Sequence, residues 1–160
     1  MELVWSDQAG EMVTALAGMC LDSFSVSGAT LQLCLLRLPQ VQGLPDELWL
    51  STTCPVFFRQ ADPLASRAPD DEQEFYASRE RALVAIFRLN ACEILNAVIH
   101  ADGSLELRFE TGSVVVVPDD PVDEVFWEVG DRPPSYEHGP EWLVLLSETA
   151  TGMEFFCKRS

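Results

Sequence analysis

The stretch Cys92-Glu-Ile-Leu-Asn-Ala-Val-Ile-His-Ala-Asp-Gly-Ser-Leu-Glu-Leu-Arg-Phe109 decides the fold. Two extended runs, Cys92 to His100 and Ser104 to Phe109, flank Ala101-Asp102-Gly103, and Asp-Gly between β-prone runs is the strongest short hairpin signal. A second turn at Glu110-Thr111-Gly112 leads into Ser113 to Val117, which Pro118 closes. Three more runs follow: Val122 to Val129, Glu141 to Glu148 and Met153 to Lys158, the last two across Thr149 to Gly152. Short strands joined by tight turns make a meander, so antiparallel pairing is predicted.

Working back, Met19 to Val26 and Thr30 to Leu38 repeat this pattern around Ser27-Gly28-Ala29. Cys20, Asp22, Phe24 and Val26 fall on alternate positions, as do Leu31, Leu33 and Leu35, which is the period of a half-buried strand. A third run, Glu47 to Arg59, contains Pro55, which marks an edge strand or a break. Before the first hairpin, Asp7 to about Leu16 reads as a short helix with Met12, Val13 and Leu16 on its apolar face and Gly18 at its end. After the loop 61–69, Asp70 and Gln73 form a capping box for a long helix to about Phe87. Tyr76, Leu83, Ile86 and Phe87 supply its stripe. The fold class is therefore α+β: mostly antiparallel sheet, one long helix and a short N-terminal helix.

Leu16 to Leu33 and Leu89 to Leu107 run in parallel through a hairpin, the second one residue longer near its turn. Each half continues into a segment carrying a tryptophan, Trp49 and Trp127. The reading is one domain over residues 1–160, with similar halves of about 10–60 and 88–158 joined by a loop and helix over 61–87. Any two amphipathic hairpins share such a pattern, so duplication and coincidence both stand at this level.

At 160 residues and 48% hydrophobic, the chain can bury roughly 70% of its unfolded surface without disulfides. Its 10 Lys and Arg against 26 Asp and Glu give a net charge of −16. That sign repels nucleic acid and anionic membrane surfaces alike. The five cysteines are odd in number and widely spaced, and the first residues carry no basic, apolar leader, so a soluble cytoplasmic protein is expected. The longest apolar runs are far shorter than a bilayer span.

Catalytic signals are sparse. His100 and His138 lack a nucleophile at suggestive spacing, and the cysteines form no zinc pattern with them. Asp119, Asp120, Asp123 and Glu124 offer oxygen ligands for calcium or magnesium but lack the spacing and turn glycine of an EF-hand loop. No phosphate-binding or dinucleotide-binding glycine motif occurs. No enzyme, cofactor or metal is expected. Charge placement is more telling: from Glu110 to Glu141, nine acidic residues face only Arg132, among Phe126, Trp127 and Tyr136. Acidic residues around aromatic anchors suit recognition of a basic protein, because the field speeds association and the aromatics hold the complex. The expected partner-binding residues are Asp119, Asp120, Asp123, Glu124, Trp127, Glu128, Asp131, Tyr136 and Glu137. Phe126 and Trp127 are adjacent, so in a regular strand one of them is exposed or covered by a loop or partner.

The cadence from Ala97 through Pro118, with the acidic segment and Phe126-Trp-Glu-Val129 after it, resembles small bacterial β-rich acidic proteins of immunity-protein-like families. It covers about a third of the chain and brings no catalytic residues. The resemblance implies a cytoplasmic protein that neutralises a basic toxin by occluding its active site. An acidic secretion chaperone, or a small enzyme or ligand-binding domain using carboxylates, fits the same composition.

Overall fold

Each of the two helices leads into an antiparallel meander of three strands, and the strand after each meander crosses to the other sheet. The computed structural model describes residues 7–60, 72–118, 125–131, 143–149 and 152–157. Helix α1 (Asp7–Leu16) precedes β1 (Cys20–Ser27), β2 (Thr30–Leu36) and β3 (Glu47–Thr52), followed by β4 (Val56–Gln60). Helix α2 (Glu72–Arg88) precedes β5 (Asn96–Ile99), β6 (Leu105–Phe109) and β7 (Gly112–Val116), followed by β8 (Val125–Gly130). Strands β9 (Leu143–Thr149) and β10 (Gly152–Cys157) complete the described chain.

One sheet has the order β1-β2-β3-β8-β9-β10 and the other β4-β7-β6-β5, with every pairing antiparallel. Both hairpin turns lie where their glycines require them. Gly28 has φ +59° and Gly103 +87°, and the Asp102 carboxylate accepts the Ser104 amide at 2.9 Å. The run 47–59 is two strands in two sheets. Pro55 stands at the corner: it has no amide for a ladder, while its carbonyl accepts the Val117 amide at 3.0 Å. Strand β4 beyond it is an edge strand, whereas β3 before it is central.

Period two builds the core. Leu31, Leu33 and Leu35 on β2, Leu48 and Leu50 on β3, and Val129 on β8 are buried on one face of the larger sheet. Leu105, Leu107 and Phe109 on β6 meet Val114 and Val116 on β7 in the smaller one, and all join one apolar cluster with α1 and α2. Helix α1 packs against β5, and α2 against β4.

Helix α2 spans 17 residues, an ordinary rather than a long helix. Among its described side chains, Ala82 and Ile86 are buried, with Leu83 half-buried beside them, and Leu89 continues the line just past its end. Phe87 does not belong to that stripe. It is 70% exposed, because one residue past Ile86 turns it about 100° around the helix. The capping box and Tyr76 lie outside the residues whose side chains are described, as does the loop 61–69.

The segments that follow the two helices pair with each other. Gly18 donates to the Ile94 carbonyl at 2.8 Å, and Ala91 to Leu21 at 2.6 Å. Ile94 donates to Met19 at 2.8 Å, and Leu21 to Cys92 at 3.1 Å. Swapping each residue for the one 73 positions away converts either bond of a pair into the other. The junction thus has a local two-fold relation, centred on the bridge between Cys20 and Glu93.

Candidate functional site

Of the nine residues expected to meet a partner, Asp119, Asp120, Asp123, Glu124, Tyr136 and Glu137 lie outside the described residues. Trp127 is not the exposed anchor anticipated. It is fully buried, and its indole Nε1 donates to the Gly103 carbonyl at 2.9 Å, tying β8 to the β5–β6 turn. Phe126 is buried too, at 5% exposure. Both adjacent aromatics face inward because the β8–β9 register shifts between Val125 and Trp127, leaving Phe126 as an extra residue. The Thr52 hydroxyl donates to the Phe126 carbonyl at 2.6 Å and fixes this bulge.

Glu128 and Asp131 are partly exposed. Glu128 pairs with Ser51 on the side of the larger sheet that faces away from Leu50 and Val129. Burial there pushes its carboxyl above the usual carboxylate range. On the same side, Cys34 is buried, and its thiol is pushed up to about 11 by burial and by the Glu47 and Asp22 charges, against a hydrogen bond to Ser23. It is therefore a small apolar group and not a nucleophile. The Trp49 indole Nε1 donates to Glu47 Oε1 at 2.5 Å.

A second polar cluster lies on the smaller sheet, on the side opposite Leu105 and Leu107. Glu106 is 3% exposed, and its Oε2 lies 2.7 Å from His100 Nε2 and 3.1 Å from Arg108 Nη2. Burial alone would raise its carboxyl. Hydrogen bonds from Arg108, Ser113 and His100, with the Arg108 charge, outweigh burial and hold it at about 2. The signal was present in Leu105-Glu-Leu-Arg-Phe109, where alternation places Glu106 and Arg108 on one face. The location of His100 and Ser113 beside them came only from strand register.

Of the other described basic residues, Arg37, Arg59 and Arg79 are engaged with the protein, whereas Arg81 and Arg88 on α2 are exposed. Arg37 is buried and donates to the carbonyls of Ala17 at 3.1 Å, Pro45 at 3.2 Å and Ala15, closing the C-terminal end of α1. Arg79 donates to Ala29 at 3.0 Å, and Arg59 lies 5.9 Å from the Phe57 ring centroid. In contrast, Asp22, Asp46, Glu47, Glu93, Asp102 and Glu110 are exposed. Among the described residues, no group of three His, Cys, Asp or Glu side chains is placed to hold a metal ion, and no helix is long and apolar enough to cross a membrane. No protein-family model, curated protein or solved structure matches the chain.

Proposed function

We propose that this chain is an acidic cytoplasmic binding protein of the immunity-protein type, which neutralises a basic toxin by covering its positively charged active site. The observation that carries this reading is the unequal use of charge. Arg37, Arg79 and Arg108 are engaged with carbonyls or with Glu106, and the exposed Arg81 and Arg88 are outnumbered by the exposed Asp22, Asp46, Glu47, Glu93, Asp102 and Glu110 on a chain of net charge −16. Such a surface steers a basic partner toward it and repels polyanions. The Glu106 cluster does not favour a general acid or base at that residue. Its carboxylate is saturated with donors and held ionised far below neutral pH, whereas a general acid or base works best near the operating pH.

The two halves are read as copies of one unit, a helix followed by four strands, that exchange their last strands. The paired hydrogen bonds between 18–21 and 91–94 support this, as does the pairing of β3 with β8 and of β7 with β4. Strands β9 and β10 are additions to one copy.

The functional test is association of the purified protein with the product of the neighbouring gene at several salt concentrations. With Asp119→Lys and Asp120→Lys combined, association should slow by about tenfold or more at low salt and dissociation should change little. Association that is independent of salt and equally fast in the variant would overturn the acidic-surface reading.

A further inference from the structure

The edge of the larger sheet at β1 differs from both edges of the smaller one. Helix α1 packs beside β5 and α2 beside β4, whereas the main neighbour of β1 among the described elements is β2. The hydrogen-bonding parity of β1 follows from its turn. Ser27 and Thr30 close a two-residue loop, so the ladder to β2 falls on Ser27, Ser25 and Ser23. Phe24 and Val26 therefore direct their amides and carbonyls away from the sheet. Further back, Leu21 does the same, and its outward groups are already taken: its amide donates to Cys92 and its carbonyl accepts from Ala91. Among the described residues the edge is thus strand-paired at its start and open beyond the bulge at Asp22, where the register shifts between Leu21 and Ser23.

The open part is also unguarded. Protein edges are ordinarily protected by charge, proline or cover. Ser23-Phe-Ser-Val-Ser27 has neither charge nor proline, in a chain with 22% charged residues, and Val26 is 44% exposed. Toward the Cys20 end of β1 the exposed side chains Asp22 and Glu93 are acidic, while at the turn Arg79 is tied to the Ala29 carbonyl.

We infer that β1 is a docking edge for an extended segment of a basic partner, which adds a strand through the amides and carbonyls of Phe24 and Val26. This rests on the reading of the chain as an acidic binding protein and names how its partner is held. Backbone hydrogen bonds give the attachment, and basic residues flanking the incoming strand meet the acidic surroundings. A second copy of this chain is the weaker occupant, since it brings −16 against −16.

The probe is a synthetic peptide of three Thr-Val repeats between two lysines, added to the full-length protein. In the free protein the Phe24 and Val26 amides should exchange with solvent much faster than those of Ser23, Ser25 and Ser27. Peptide binding should be saturable and should slow Phe24 and Val26 specifically. Val26→Pro removes an outward amide without touching the β2 ladder, so Ser25 and Ser27 stay protected while peptide affinity falls about tenfold or more. Replacing the peptide's lysines with glutamates should weaken binding similarly.

Absence of saturable binding, or protection elsewhere than Phe24 and Val26, overturns the inference. Self-association that Val26→Pro abolishes overturns it in favour of a second copy. If the edge takes no peptide but the charge-reversal test holds, only the edge assignment falls. If it takes lysine and glutamate peptides equally, the basic character of the partner falls with it.

Discussion

Gly18 and Ala91 occupy the same place in the two junctions between helix and meander. Both have positive φ, +81° and +64°, and each sends its amide across to the segment that follows the other. Ala91 is the one described non-glycine residue with positive φ. In the left-handed region a Cβ costs roughly 1–2 kcal/mol, so the two junctions do the same thing at unequal cost.

That asymmetry gives a paired expectation. Ala91→Gly should stabilise the protein by up to about 1 kcal/mol, since relief of strain exceeds the extra freedom gained by the unfolded chain. Gly18→Ala should destabilise it by more than about 1 kcal/mol. A Cβ there would lie 3.2 Å from Arg37 Nη1, in addition to the strain of its φ. Chemical denaturation of both variants reads the two signs. Equal effects of the same sign would break the equivalence.

Arg37 should be among the least replaceable charged residues. Arg37→Met keeps much of the side-chain volume but leaves the buried carbonyls at the end of α1 without their donor. A loss of about 2–4 kcal/mol is expected by urea titration, and a loss below about 0.5 kcal/mol would mean that other groups satisfy them.

Among the described residues, the two carboxylates with shifted acidity, Glu106 and Glu128, should move stability in opposite directions. Glu106 is depressed to about 2 from an ordinary 4.5, so its contribution is full above about pH 4.5 and disappears as pH falls toward 2. Glu106→Gln should cost about 1.5–3 kcal/mol at pH 7 and flatten the stability profile across that acid range. Melting curves from pH 2 to 7 provide the comparison.

Glu128 is raised by burial, so ionising it as pH climbs above 4.5 works against the folded state. Glu128→Gln removes that penalty and should add about 0.5 kcal/mol or more at pH 7, with little effect at pH 4. A variant less stable than the parent at neutral pH would show that Glu128 has a stabilising partner that outweighs its burial.

On α2, Ile86→Ala should cost about 2–5 kcal/mol, because Ile86 is wholly buried. Phe87→Ala should stay within about 0.5 kcal/mol, because that ring is mostly in solvent. Equilibrium unfolding of the two neighbours checks which face of the helix meets the core.

What the sequence determined by itself is local. Asp7–Leu16 and Glu72–Arg88 follow from apolar residues at helical spacing, and the turns at Gly28 and Asp102-Gly103 from chain geometry that glycine alone adopts freely. Pro55 likewise announced its break, since proline has no amide to give a ladder. These signals act over a few residues, within the reach of one turn. The tertiary structure decided everything that depends on which strand lies beside which. Period two states that Leu105 and Glu106 face opposite ways, but not that His100 and Ser113 will stand beside Glu106. Adjacent Phe126 and Trp127 are both buried because a bulge, set by pairing with β9, adds a residue that no periodicity records. The same holds for the exchange of β4 and β8 between the two sheets. A strand's own pattern fixes which face it buries, while its neighbour is chosen by the burial and backbone pairing of the whole chain.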